Sequence, residues 1–117
     1  MIEKNSALSS KAANKNNVHE GLEVLRSHKR RTVVWPAVLL VNEFEFKCTL
    51  YDISLGGVRL RLDLPLATGA KVRIKIKDLD FTNALVAWHA EDFVGLRFVE
   101  DPETMIDLLG EYAHNLV

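Results

Sequence analysis

The chain has 117 residues, of which 48% are hydrophobic and 26% charged, with a formal net charge of −1. That is the size and composition of one globular domain with a single core. The charge argues against a general polyanion binder, the single cysteine (Cys48) excludes a disulfide framework and fits a reducing cytoplasm, and no apolar run approaches the roughly 20 residues a membrane-spanning helix needs.

The positive charge is unevenly placed. Residues 1–35 carry seven Lys/Arg against three Glu, whereas residues 36–117 carry eight against thirteen acids. Met1 to Asn17 is polar, lacks the apolar stretch of a secretory signal and holds too little apolar surface to offset the entropy of ordering it, so residues 1–17 are expected to be a disordered tail. Val18, Leu22 and Leu25 would share one face of a short helical turn. Arg26-Ser-His-Lys-Arg30-Arg31 is the densest run of positive charge in the chain. It leads directly into the first strand, and arginine is the side chain suited to forked and stacked contacts.

The period then changes to two. Val33 to Val41 is β-rich, with Pro36 suited to a strand start or edge, and Asn42-Glu43 reads as a hairpin turn. Phe44, Phe46, Cys48 and Leu50 alternate with Glu45, Lys47, Thr49 and Tyr51, a half-buried strand. Asp52 inherits the inward parity of Leu50, which requires either a bulge or a specific partner. Tyr51-Asp-Ile-Ser-Leu-Gly-Gly-Val58 packs an acid, a hydroxyl and two glycines into a tight corner able to hold a ligand. Strands follow at Val58–Leu62, Val72–Ile76, Phe81–His89 and Val94–Val99, with turns at Asp78–Asp80 and Glu91–Asp92. Six short strands punctuated by turns predict a mainly β fold, a small six-stranded antiparallel barrel. Asp101-Pro-Glu103 opens a C-terminal helix whose apolar face runs from Met105 to Leu116, with Gly110 as a weak point inside it.

Enzymatic chemistry finds little footing. His19, His28, His89 and His114 are scattered, one cysteine cannot build a zinc site, and Ser54 lacks both a nucleophile elbow and a histidine base. The expectation is no catalytic residue, no metal and no cofactor. Arg59 and Arg61 with Lys71, Arg73, Lys75 and Lys77 would form a basic ridge if their strands paired, but no aromatic side chain interleaves with it, so no nucleic-acid partner is expected.

Arg26-x-x-x-Arg30 followed by Asp52-x-Ser54-x-x-Gly57, with Pro36 six residues after Arg30, Val86-Ala-Trp88, Gly95-Leu-Arg-Phe98 and a terminal helix, resembles the PilZ domain family, the bacterial receptor module for cyclic di-GMP. The likeness runs from Arg26 to Val117 and implies a PilZ-type barrel over residues 32–117 with a flexible, ligand-clamping arm at 18–31. It further implies that Arg26, Arg30 and the adjacent Arg31 face guanine and phosphate, and that Asp52, Ser54, Gly56 and Gly57 form the opposing wall. Trp88 is implied to stack near a guanine. Leu25 stands where many members carry another arginine, a position tied to whether one or two ligand molecules bind. The resulting expectation is a stand-alone cytoplasmic receptor that binds cyclic di-GMP, changes conformation and signals to a protein partner without membrane insertion. The alternative is a PilZ-like interaction module that does not bind the nucleotide.

Overall fold

The computed structural model describes residues 28–117; the expected tail, the short helical stretch at 18–25 and Arg26 lie outside the described residues. Six strands form: β1 (Arg31–Val41), β2 (Phe44–Ile53), β3 (Gly57–Arg61), β4 (Lys71–Ile76), β5 (Phe81–Ala90) and β6 (Phe93–Phe98). Every pairing is antiparallel, and the order β1-β2-β3-β6-β5-β4 closes into a barrel. The expected six-stranded fold is therefore the observed one, with β1 beginning two residues earlier than the apolar pattern indicated.

Period-two alternation builds the core. Leu39, Leu50, Leu60, Ile74, Val86 and Val94 are buried from six different strands and meet inside the barrel. Three hairpin turns need a left-handed residue, at Asn42 (φ 58°), Lys77 (φ 54°) and Glu91 (φ 56°). Asparagine tolerates that conformation well, lysine and glutamate less so. The β4–β5 turn begins at Lys77, one residue before the expected position. The half-buried Cys48 thiol is pushed up to about 11 by desolvation, which leaves it protonated and unreactive near neutral pH.

The C-terminal helix α1 (Pro102–Leu109) is capped by Asp101, whose carboxylate accepts from the Thr104 N–H at 2.8 Å. That bond holds the Asp101 carboxyl below its ordinary range. The single helix expected through Leu116 is two elements. Gly110, at φ 59° and ψ −131°, ends α1, and a 3₁₀ helix follows at Gly110–Leu116. A glycine that reads as a mild defect in a helix is here its stop. Met105, Leu109, Ala113 and Leu116 are buried across both pieces and belong to the same core cluster as the strands.

A clasp fastens the 3₁₀ helix to the β4–β5 turn. The Lys77 ammonium lies 4.6 Å from the Trp35 ring centroid and 4.7 Å from that of Tyr112, and the Tyr112 hydroxyl donates to Asp78 at 3.0 Å. The basic ridge expected on paired β3 and β4 does not form, because β3 pairs with β2 and β6 while β4 pairs with β1 and β5. Arg59 and Arg61 are thereby separated from Lys71, Arg73 and Lys75 by the width of the barrel.

Candidate ligand-binding site

On the outer face of the barrel, β2, β3, β6 and β5 lie side by side, and the two outermost strands of this patch each carry an irregularity. One falls between Leu50 and Asp52 in the β2–β3 ladder, the other between Val86 and Trp88 in the β5–β6 ladder. Each resets the alternation by one residue. Asp52, which strict parity would send into the core behind Leu50, instead joins the outer face opposite Arg59. The inward carboxylate expected from the sequence is thus resolved by a bulge. Trp88 likewise leaves the inward parity of Ala84 and Val86 and stands 41% exposed.

Between them lies a shallow, solvent-open cleft walled by Arg30, Asp52, Arg59, Trp88 and Arg97 and floored by Gly57, Val58, Gly95 and Leu96. Arg30 Nη1 sits 3.4 Å from Asp52 Oδ2, with 56% of the arginine side chain and 19% of the aspartate exposed. The Arg59 guanidinium lies 5.1 Å from the Phe93 ring centroid. Three guanidiniums against one carboxylate make the cleft electropositive in a chain of net charge −1.

The corner from Ser54 to Gly57 shapes the lower wall. The Ser54 N–H donates to the Gly57 carbonyl at 2.9 Å, and the buried Ser54 Oγ accepts from the Gly56 and Gly57 N–H groups at 3.1 and 3.2 Å. The same hydroxyl is placed to donate to the Gly57 carbonyl at 3.4 Å. Both lone pairs and the proton of the hydroxyl are thereby engaged within the turn. Ser54 shapes the cleft by fixing the glycines. The Gly56 carbonyl accepts from the Phe98 N–H at 2.9 Å, tying the corner to β6.

Of the residues singled out from the sequence, Arg30, Asp52, Ser54, Gly57 and Trp88 meet at the cleft. Gly56 supports it from the turn. Arg31 opens β1 opposite Ile53 and is not among the residues walling the cleft, and Arg26 lies outside the described residues. Three contributors were missed. Alternation marks Arg59 as an outward residue but gives it only a place on the basic ridge, and Arg97 carries no signal beyond its place in the closing strand. Gly95 carried the general signal of glycine in a strand interior, which marks a close approach. A Cβ on Gly95 would come within 2.1 Å of Trp88 Nε1 and 2.3 Å of Cε2, so the indole occupies the space a side chain would fill. Gly95→Ala is expected to displace Trp88, giving a shifted indole emission spectrum and a loss of ligand affinity of about tenfold, the scale of one stacking contact. An unchanged spectrum would show that the indole is not seated on the glycine.

Among the described residues, no group of three or more His, Cys, Asp or Glu is arranged to hold a metal ion, and no helix is long and apolar enough to cross a membrane.

A closed six-stranded barrel, a helix packed into the same core and an arginine-lined outer cleft beside an Asp-x-Ser-x-x-Gly corner define a small β-barrel module with a candidate binding cleft. The family model of the PilZ domain matches residues 25–115, and the chain belongs to that family. Members are generally cyclic di-GMP receptors or adaptors, not enzymes. Among solved structures, the PilZ domain of CeSA from a cellulose-synthesizing bacterium matches at 17% identity and TM-score 0.61, covering 74% of this chain and 99% of that one. The Bacillus subtilis inhibitor of motility MotI/DgrA matches at 23% identity and TM-score 0.62, covering 76% of this chain and 49% of that one, so the barrel corresponds to about half of the MotI chain. At these identities the two structures speak for the fold. No curated protein matches the chain.

Proposed function

We propose that this chain is a cytoplasmic receptor for cyclic di-GMP that passes the bound state to a protein partner. The observation that carries the proposal is the convergence of Arg30, Arg59 and Arg97 with Asp52 and Trp88 in one cleft. Such a set matches both halves of a guanine nucleotide. A guanidinium forks onto a phosphate or onto guanine O6 and N7, a carboxylate accepts from guanine N–H groups, and an indole offers a stacking surface. Membership of the PilZ family supports cyclic di-GMP as the guanine ligand. Arg26, four positions before Arg30, is assigned to the same ligand by the sequence motif, with residues 18–31 acting as the arm that delivers both arginines.

Three charge-assisted bonds at about 1.5–3 kcal/mol each, plus roughly 1–3 kcal/mol for stacking on Trp88, bracket the ~8 kcal/mol of micromolar binding only before the arm is ordered. Ordering the arm opposes them at roughly 1–2 kcal/mol per residue, so the ligand must engage all of these groups and Arg26 must add to them. Arg30 reduces that cost, since it already stands at the cleft in contact with Asp52.

Thermal unfolding with and without cyclic di-GMP tests the proposal. Ligand at about 100 times its dissociation constant adds roughly 2.7 kcal/mol, which for a domain of this size raises Tm by roughly 10 °C. GTP at equal concentration should give a smaller shift. No shift at millimolar cyclic di-GMP would favour the non-binding interaction module.

A further inference from the structure

The surface of β4 lies outside the cleft and is built differently. Lys71, Arg73 and Lys75 alternate with the buried Val72, Ile74 and Ile76 and so form a single row along the outside of the barrel. Apolar side chains flank it on each side. On β1, Val38 pairs with Lys75 and Leu40 with Arg73; on β5, Phe81 pairs with Lys75 and Leu85 with Lys71, with the exposed Asn83 between them opposite Arg73. The Arg73 and Lys75 head groups lie 5.8 and 5.9 Å from the Phe81 ring centroid. The face is therefore a line of cations with half-buried Val38 and Leu40 on one side and half-buried Phe81 and Leu85, separated by Asn83, on the other.

The outer face of α1 is its counterpart. Met105 and Leu109 are buried, which turns Glu103 and Asp107 to the opposite side, one helical turn apart. On either side of this acidic row stand Ile106 and Leu108, 37% and 44% exposed. Residues 100–117 contain five acids and no Lys or Arg. The spacings also agree: carboxylates one turn apart rise about 6 Å along a helix, and alternate residues on a strand are about 6.7 Å apart. A helix about 10 Å across laid along a strand spans the two neighbouring strands at about 4.8 Å on each side. Acids then meet cations, and Ile106 and Leu108 meet the flanking apolar side chains. Among the described residues, neither row is engaged in an ion pair within the chain.

We infer that the β4 face is a docking surface for the acidic, apolar-flanked helix α1 of a second copy of this chain. The contact joins two different patches of one molecule, leaves the cleft free, and stands whether or not the cleft binds a nucleotide. Being charge-led, the association weakens as salt rises.

Sedimentation of the full chain over a concentration series, at low and high salt, tests this. The weight-average mass is expected to rise above the 13.2 kDa of one chain at low salt and to fall back at high salt. Arg73→Glu and Asp107→Lys should each abolish the rise, and the double variant, which swaps the charges, should restore it, with circular dichroism confirming that all three fold. A monomer at every concentration at low salt would overturn the proposal. So would association that survives either single substitution, or a double variant that stays monomeric. Loss with Arg73→Glu but not with Asp107→Lys would show that the face takes some other acidic segment and would equally overturn it.

Discussion

Replacing Arg30 with alanine is expected to weaken cyclic di-GMP binding between about tenfold and a hundredfold, the range of one charge-assisted contact at roughly 1.5–3 kcal/mol. The loss has two sources. The ligand forfeits a forked donor, and Asp52 forfeits the guanidinium 3.4 Å away, leaving its carboxylate uncompensated in the cleft that an anionic ligand must enter. Stability should hardly change. The Arg30 side chain is more than half exposed, and exposed ion pairs contribute about 0–1 kcal/mol. Isothermal titration alongside a thermal melt separates the two quantities. Unchanged affinity in a normally folded Arg30→Ala protein would remove the basis of the proposed function. Arg26→Ala is expected to act in the same direction, on the strength of its spacing from Arg30.

Gly57→Ala should give the opposite profile, a large loss of stability. A Cβ at Gly57 would stand 2.1 Å from the Leu96 carbonyl oxygen, with Leu96 C and Arg97 Cα at 3.2 and 3.3 Å. The obstacle is backbone in the neighbouring strand, so no side chain can swing away. Overpacking a core costs about 1–3 kcal/mol, and a clash against a ladder belongs at the upper end. A loss of about 3 kcal/mol lowers Tm by more than roughly 10 °C in a domain of this size. A melt within about 2 °C of the parent would show that β3 and β6 have slack there. The glycine read from sequence as an opening for ligand is also the residue that lets two strands touch.

These two residues illustrate what the sequence could and could not tell. Strand parity was plain wherever apolar residues alternated without interruption, as in Val72-Arg-Ile-Lys-Ile76, because burial on one face leaves a period-two record. The bulges at Leu50/Asp52 and Val86/Trp88 left only indirect marks: an acid and a tryptophan at the wrong parity. Asp52 stands out in the sequence as an anomaly of parity, whereas Trp88 stands out only through family likeness. Arg59 and Arg97 face the cleft because β3 pairs with β6, a contact between segments far apart in the chain that no local pattern encodes. The same non-local pairing dissolved the expected ridge. Gly110 was misjudged because a helix stop and a helix defect look alike when apolar residues continue on both sides.

The order of the strands has a kinetic consequence. Five sequential connections join the strands; four of them link neighbours in the barrel, but β3 and β4 are joined in sequence without pairing. Closure then depends on two seams between distant segments, Gly57 against Arg97 and Leu39 against Ile74. Such contacts form late, since the entropy of closing the intervening chain must be met before they contribute. The arginine cleft straddles the first seam, with Arg59 on one strand and Arg97 on the other. A barrel in which the β3–β6 seam is open cannot present it, whatever the state of the β1–β4 seam. Assembly of the proposed binding cleft is therefore tied to the docking of β6 on β3.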